Sequence, residues 1–168
     1  LYIEYKLAYN VMIDFLLKKR EGIKNNLPIV GPVNENYWAF GDSYNKGAWV
    51  LHTLRNVISN DDLWFSILKN FAIDNAKGHV STETFLDYIV RATDENYQLV
   101  FYQYFYDHRP PTFEYYQEGE KFYFRWSNVV SGFDMPLDID LNGVEKRLEV
   151  TKELSTLSIS EHSVIHIR

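Results

Sequence analysis

The chain has 168 residues, of which 46% are hydrophobic and 17% aromatic, enough to bury a core as one domain or two small ones and to exclude intrinsic disorder. Its 17 Lys and Arg stand against 23 Asp and Glu, a net charge of −6 at pH 7, which is the wrong sign for a general nucleic-acid binder. There is no cysteine, so disulfides, thiolate nucleophiles and Cys-ligated zinc are excluded, and no apolar run approaches the ~20 residues of a membrane span.

The first predicted element is an amphipathic helix from Leu1 to about Lys19. Apolar residues recur at three- and four-residue spacing, and the expected buried positions are Ile3, Leu7 and Val11, with Ile13, Leu16 and Leu17 on an adjoining stripe. Because the sequence starts without Met inside this helix, we expect the chain to be a piece of a longer protein. A long irregular loop, 22–40, follows and carries Tyr37, Trp38 and Phe40; Trp38 and Phe40 are candidates to line a substrate-side pocket.

Four more helices are predicted from periodicity and cap residues. They run from Asp42 to about Ile58, Asp61 to about Ala76, Thr82 to about Ala92 and Glu95 to Tyr106. Two prolines, Pro110 and Pro111, then stop helical continuation. The aromatic run inside the last helix could form a carbohydrate platform, but its position before the strands favours interdomain core.

The rest of the sequence alternates with period two between turn residues, which predicts short strands. We expect an α+β protein: a helical subdomain of about five helices, residues 1–110, followed by a small antiparallel Ig-like β-sandwich, residues 111–168, that lacks its last strand. The predicted strands are Thr112–Tyr116, Lys121–Trp126, Leu137–Leu141, Val144–Val150, Thr156–Ile159 and Val164–Ile167.

One segment, 138–149, fits the letters of a calcium loop, with Asp138, Asp140, Asn142, Gly143 and Glu149 at the required spacing. The alternating apolar residues and the Asn-Gly dipeptide favour a two-residue hairpin turn instead. In that hairpin Leu141 pairs with Val144, Leu137 with Leu148 and Asp138 with Arg147. We therefore predict a strand pair rather than a metal site.

Other chemical signals are weak. Ser43 and Lys46 have the Ser-x-x-Lys spacing of penicillin-interacting enzymes, but the partner signatures of that class are missing. No two histidines have the helical i, i+4 spacing of a zinc pair, and His52 is expected to be a half-buried, hydrogen-bonded residue. We predict no metal ligands in this chain; the five histidines are His52, His79, His108, His162 and His166.

Residues 44–55, YNKGAWVLHTLR, resemble the Tyr-x-Lys-Gly-Ala-x-x-Leu-x-x-Leu-Arg helix of the aminopeptidase N family of zinc metallopeptidases, which are of the gluzincin type. The segments 81–85, STETF, and 105–113, FYDHRPPTF, resemble the family's later Thr-x-x-Asp-Phe segment and its passage into a β domain. The resemblance covers nearly the whole chain, from the C-terminal part of a catalytic domain through most of a β-sandwich.

The resemblance implies a zinc-dependent aminopeptidase that hydrolyses peptide bonds at N-termini, with a peptide as substrate. Tyr44 matches the family tyrosine whose phenol hydrogen-bonds the oxyanion of the tetrahedral intermediate, and a phenol is a donor at neutral pH. The zinc ligands and general base of the family are absent here, so we expect zinc only in the full-length parent and an inactive fragment. Lys46, Gly47 and Ala48 are interpreted structurally, Lys46 pairing with a carboxylate and the other two allowing close helix packing.

The alternative is a non-catalytic interaction or scaffold module of the same architecture, since relatives of this shape can lose their zinc site. The sequence leaves open the substrate-binding residues, the substrate preference, exopeptidase or endopeptidase action and the oligomeric state. A cytoplasmic and an exported parent are both compatible with it.

Overall fold

The computed structural model describes residues 8–35, 37 and 42–167. Within that part of the chain five helices precede six strands, as predicted. The N-terminal half of the first predicted helix, residues 1–7, and the loop residues Trp38 and Phe40 lie outside the described residues. The helices are α1 (Tyr9–Arg20), α2 (Asp42–Ile58), α3 (Asp61–Asp74), α4 (Thr82–Thr93) and α5 (Gln98–Phe101), which passes directly into one π-helical turn, Tyr102–Tyr106.

The starts of α3 and α4 follow from their cap residues. The Asn60 side chain accepts a hydrogen bond of 3.0 Å from the Leu63 amide, and Ser81 forms a reciprocal capping box with Thr84. These bonds satisfy backbone donors that have no partner inside the helix. The limits predicted for α2, α3 and α4 are confirmed to within two residues.

The buried face of α1 differs in part from the prediction, which included Leu16 but not Met12. Met12 and Leu16 are buried, whereas Val11 and Leu17 are 41% and 45% exposed. Apolar residues surround most of this helix, so its sequence did not define one face. Contact with α2 selects it: the Trp49 indole donates to the Leu16 carbonyl oxygen at 2.8 Å.

The strands form two three-stranded antiparallel sheets, ordered β1-β2-β5 and β4-β3-β6. The Leu141–Val144, Leu137–Leu148 and Asp138–Arg147 pairs are confirmed. Trp126 is in β2, and its amide bonds to the Thr151 carbonyl at 2.7 Å beyond the end of β4. The strand bounds are β1 Thr112–Glu118, β2 Lys121–Ser127, β3 Leu137–Leu141, β4 Val144–Leu148, β5 Ser155–Ser158 and β6 Ile165–Ile167.

A single cluster of buried side chains extends from the helices into both sheets. Alternate β2 residues, Phe122, Phe124 and Trp126, are 1–5% exposed and point inward, as the period of a strand requires. They join Ile139 of β3 and Leu54 of α2 in the same cluster. The fold is therefore α+β, a helical part followed by a small β-sandwich. Within the described residues no helix is long and apolar enough to cross a membrane.

Candidate functional site

Tyr44 lies in the first turn of α2, and its side chain is 80% exposed. Asp42 and Lys46, two residues before and after it, are only 3% and 5% exposed. An α-helix turns about 100° per residue, so both charged residues lie on the side of the turn opposite to Tyr44. This turn consequently projects one phenol outward and buries two opposite charges inward.

The Asp42 carboxylate attaches this turn to the loop that follows α1. Its two oxygens accept hydrogen bonds from the Lys24 and Asn25 amides, at 2.9 Å and 2.8 Å. These backbone donors lie in a segment without regular structure, and the two side-chain oxygens of Asp42 satisfy both of them. Asp42 therefore holds the loop and the start of α2 together.

Lys46 attaches the same turn to the segment that leads into the β-sandwich. Its Nζ donates to the carbonyl oxygen of Asp107 at 3.3 Å, so the predicted partner, a carboxylate, is replaced by a backbone oxygen as the hydrogen-bond acceptor. Burial lowers the pKa of the Lys46 ammonium, while the charges of Asp42 and Asp107 act to raise it. A buried lysine is costly unless its charge is compensated, and these two carboxylates offset part of the cost of burial.

Asp107 is itself fixed by Arg109. The carboxylate accepts from the Arg109 amide at 2.8 Å and from its guanidinium at 2.6–3.1 Å. Hydrogen bonding to Arg109 is the main reason that the pKa of Asp107 is lowered to about 2. The carboxylate is thus ionised throughout the neutral range.

Gln103, in the π-helical turn, extends these contacts to the β-sandwich. Its side chain is fully buried; it donates to the Arg109 carbonyl oxygen and accepts from the Val130 amide, both at 2.7 Å. We call the set formed by Asp42, Lys46, Asp107, Arg109 and Gln103 the polar brace. It runs from the loop after α1, through the first turn of α2, to the loop after β2.

Sequence reasoning did not identify Asp42, Asp107 or Gln103. The one available signal was Gln103, an amide inside the aromatic run 97–106, since a polar side chain that becomes buried among apolar neighbours has its hydrogen bonds satisfied. The aromatic run packs inward only in part: Phe101 is 1% exposed and the Tyr104 hydroxyl contacts the Met135 sulfur at 3.7 Å, as predicted, whereas Tyr102 is 51% exposed.

The packing role predicted for Gly47 is not supported. No atom of the described residues lies within 4 Å of a Cβ built at this position, so contact with those residues does not require glycine there. In the Ser-x-x-Lys pair, Ser43 is exposed and Lys46 bonds to Asp107. That arrangement gives the serine-nucleophile interpretation no support.

The candidate metal residues take structural roles. Asp138 forms an ion pair with Arg147 at 3.2 Å, and Asp140 accepts from the Gly143 amide in the hairpin turn. The half-buried His52 ring lies 3.3 Å from the Asn56 side-chain nitrogen, as predicted. Among residues 8–35, 37 and 42–167 no group of three or more His, Asp or Glu could hold a metal ion. Zinc, which the resemblance implies, therefore does not fit the described residues.

Among solved structures the chain has distant likenesses, and one of them is to an aminopeptidase. A crystal structure of aminopeptidase A from Legionella pneumophila, in complex with aspartic acid, is 17% identical and superposes with a TM-score of 0.48. The match covers 86% of this chain, which spans 18% of that protein. No family model matches the sequence, and no curated protein matches it. A likeness at this level assigns no function.

Proposed function

We propose that this chain is part of a zinc-dependent aminopeptidase, in which Tyr44 donates a hydrogen bond to the oxyanion formed when a peptide carbonyl is attacked. The proposal rests on the sequence resemblance of residues 44–55 to the aminopeptidase N family. Zinc supplies metal-assisted peptide hydrolysis in that family. The residues that hold it would lie outside this chain.

The chemical role of Tyr44 follows from its hydroxyl group. During hydrolysis the carbonyl oxygen gains negative charge, and a donor held in place before the reaction stabilises that charge without reorganising. Loss of one such donor typically lowers kcat by about 10²- to 10³-fold. A phenylalanine at the same position keeps the ring and removes only the donor.

The structural observation that supports the proposal is the exposure of Tyr44 on a turn whose opposite side is anchored by buried charges. Its phenol is 80% exposed, while Asp42 and Lys46 bind the loop at 24–25 and the segment at 107. Packing against the described residues does not account for a ring that is 80% exposed. An exposed phenol on an anchored turn can instead reach a substrate at a constant position.

The test is Tyr44→Phe in the full-length protein that contains this chain, assayed with an aminoacyl-4-nitroanilide. Turnover should fall by about 10²-fold or more with little change in KM, because the lost bond forms only in the transition state. The matched control is Tyr115→Phe, which removes the hydroxyl of a tyrosine that is 54% exposed in β1. It should leave kcat unchanged.

The same assay distinguishes the proposed aminopeptidase from the second candidate function, a non-catalytic scaffold module. A full-length protein without peptidase activity, or a Tyr44→Phe variant with the turnover of the parent, would overturn the catalytic role of Tyr44. The first of these results would favour the scaffold. Metal analysis of the purified full-length protein should give about one zinc per chain if the proposal is right.

A further inference from the structure

We propose that Lys46 is the positioning residue for Tyr44: its ammonium holds the first turn of α2 against the Asp107 carbonyl and thereby fixes the direction of the Tyr44 phenol. This inference rests on the proposed function for its catalytic consequence. Its structural part, the dependence of Tyr44 on Lys46, concerns only residues of this chain.

The argument begins with what α2 buries along its length. Its buried apolar side chains are Val50, Leu54 and Val57, all of which lie in the third turn or later. The residues buried in the first turn and a half are Asp42 and Lys46 instead. Hydrophobic packing thus holds the body of α2, whereas polar contacts hold its first turn.

The two polar contacts are not equivalent. Asp42 binds the amides of residues 24 and 25, which belong to an irregular loop. Lys46 donates to the carbonyl oxygen of residue 107, and the Asp107 carboxylate accepts from the Arg109 amide. The Arg109 carbonyl oxygen in turn accepts from the Gln103 side-chain amide. Lys46 therefore connects Tyr44 to the brace that reaches the β-sandwich, and Asp42 connects it to a loop.

Burial of Lys46 also argues for a specific role. A lysine side chain normally keeps its ammonium in water, and burying it is unfavourable. An apolar residue of similar length could fill the space, since a cavity of about 370 Å³, lined in part by Trp49, Val50 and Tyr104, adjoins it. Such a residue would pack there but would lose the bond to the Asp107 carbonyl. The bond, rather than the volume, is what the lysine adds.

The experiment uses the 168-residue chain labelled with 3-fluorotyrosine, in which Tyr44→Phe identifies the Tyr44 signal among the 13 tyrosines. Lys46→Met should move the Tyr44 ¹⁹F resonance toward its position in the urea-unfolded chain. It should also speed amide exchange at residues 46–48 by about tenfold or more, with residues 54–57 still protected. Lys46→Arg, which keeps a long cationic donor, should restore much of both properties.

Lys69→Met is the matched control, because Lys69 is exposed on α3; it should leave the Tyr44 resonance unchanged. An unchanged Tyr44 resonance in Lys46→Met, or protection lost evenly along α2 to residue 57, would overturn the positioning role. If Lys46→Met does not fold, Lys46→Gln replaces it with the same two outcomes, since glutamine is too short to keep the contact.

The catalytic consequence is measured in the full-length protein. Lys46→Met should lower kcat by about 10- to 100-fold with KM nearly constant, because small misplacements of a catalytic group have effects of this size. In the Tyr44→Phe background the same substitution should cost nothing further. If Tyr44→Phe alone leaves kcat unchanged, the proposed function fails, while the ¹⁹F and exchange results still decide whether Lys46 positions Tyr44.

Discussion

Replacing Gln103 by leucine removes one polar link between the helical part and the β-sandwich while nearly preserving side-chain volume. The amide is fully buried and makes two bonds of 2.7 Å, to the Arg109 carbonyl and from the Val130 amide. Leucine leaves both backbone groups without this partner. A buried polar group that loses its partner costs about 1–3 kcal/mol.

The free-energy costs of leaving the Arg109 carbonyl and the Val130 amide unpaired do not reach their full values here. Arg109 is exposed and Val130 is half-buried, so water can compensate part of the loss at each group. We therefore expect Gln103→Leu to lower the free energy of unfolding by about 2–4 kcal/mol. For a chain of this size that corresponds to a fall in Tm of about 5–15 °C.

The assay is urea unfolding of the 168-residue chain, followed by tryptophan fluorescence and by circular dichroism. Gln98→Leu is the control, since Gln98 is exposed on the adjoining α5, and it should change stability by no more than about 0.5 kcal/mol. Equal stabilities of the two leucine variants would refute the reasoning. A second variant, Gln103→Glu, should be less stable at pH 7 than at pH 4, because burial raises the pKa of a carboxyl group and the neutral acid can still donate to Arg109.

Two further predictions concern Asp107 and Gly31. The pKa of Asp107 is lowered to about 2 in the fold, so its contribution to the free energy of unfolding is present above pH 4 and is lost as the pH falls from about 4 to 2. Asp107→Asn should lower the free energy of unfolding by about 1 kcal/mol at pH 7, after allowance for screening at the exposed Arg109, and should flatten the acid limb of the curve of stability against pH. Identical acid limbs in the two proteins would contradict this. At Gly31 a Cβ would overlap the Tyr37 ring. Gly31→Ala should therefore displace the ring, break the 2.8 Å bond from its hydroxyl to the Pro28 carbonyl and lower the free energy of unfolding by about 1–3 kcal/mol. Unchanged stability in thermal unfolding would show that the loop adapts.

Much of the secondary structure was predictable because its causes are local. Asn60 and Ser81 supply side-chain oxygens to the first turns of α3 and α4, a bond that needs only neighbouring residues. Asn142 and Gly143 adopt φ of 55° and 82°, which set the two-residue turn and, with it, the register of β3 and β4. The class of fold follows from the change from helical to strand periodicity near Pro110.

The site was less predictable. Its candidate catalytic residue, Tyr44, came from a resemblance and stays a prediction. Composition and spacing gave no indication that Asp42 and Lys46 are both buried, since charged residues at a helix start are usually solvated. The π-helical turn at 102–106 was also missed, because periodicity does not distinguish it from the end of an α-helix.

What the sequence determined by itself was the order, type and approximate limits of the elements, because caps, turns and periodicity act over a few residues. Tertiary structure alone decided which face of α1 is buried and how the first turn of α2 is held. The Lys46 and Asp107 partners are 61 residues apart, and Gln103 and Val130 are 27 apart. Contacts over such separations form only when the packed core brings the elements together, so they leave no repeating pattern in the chain.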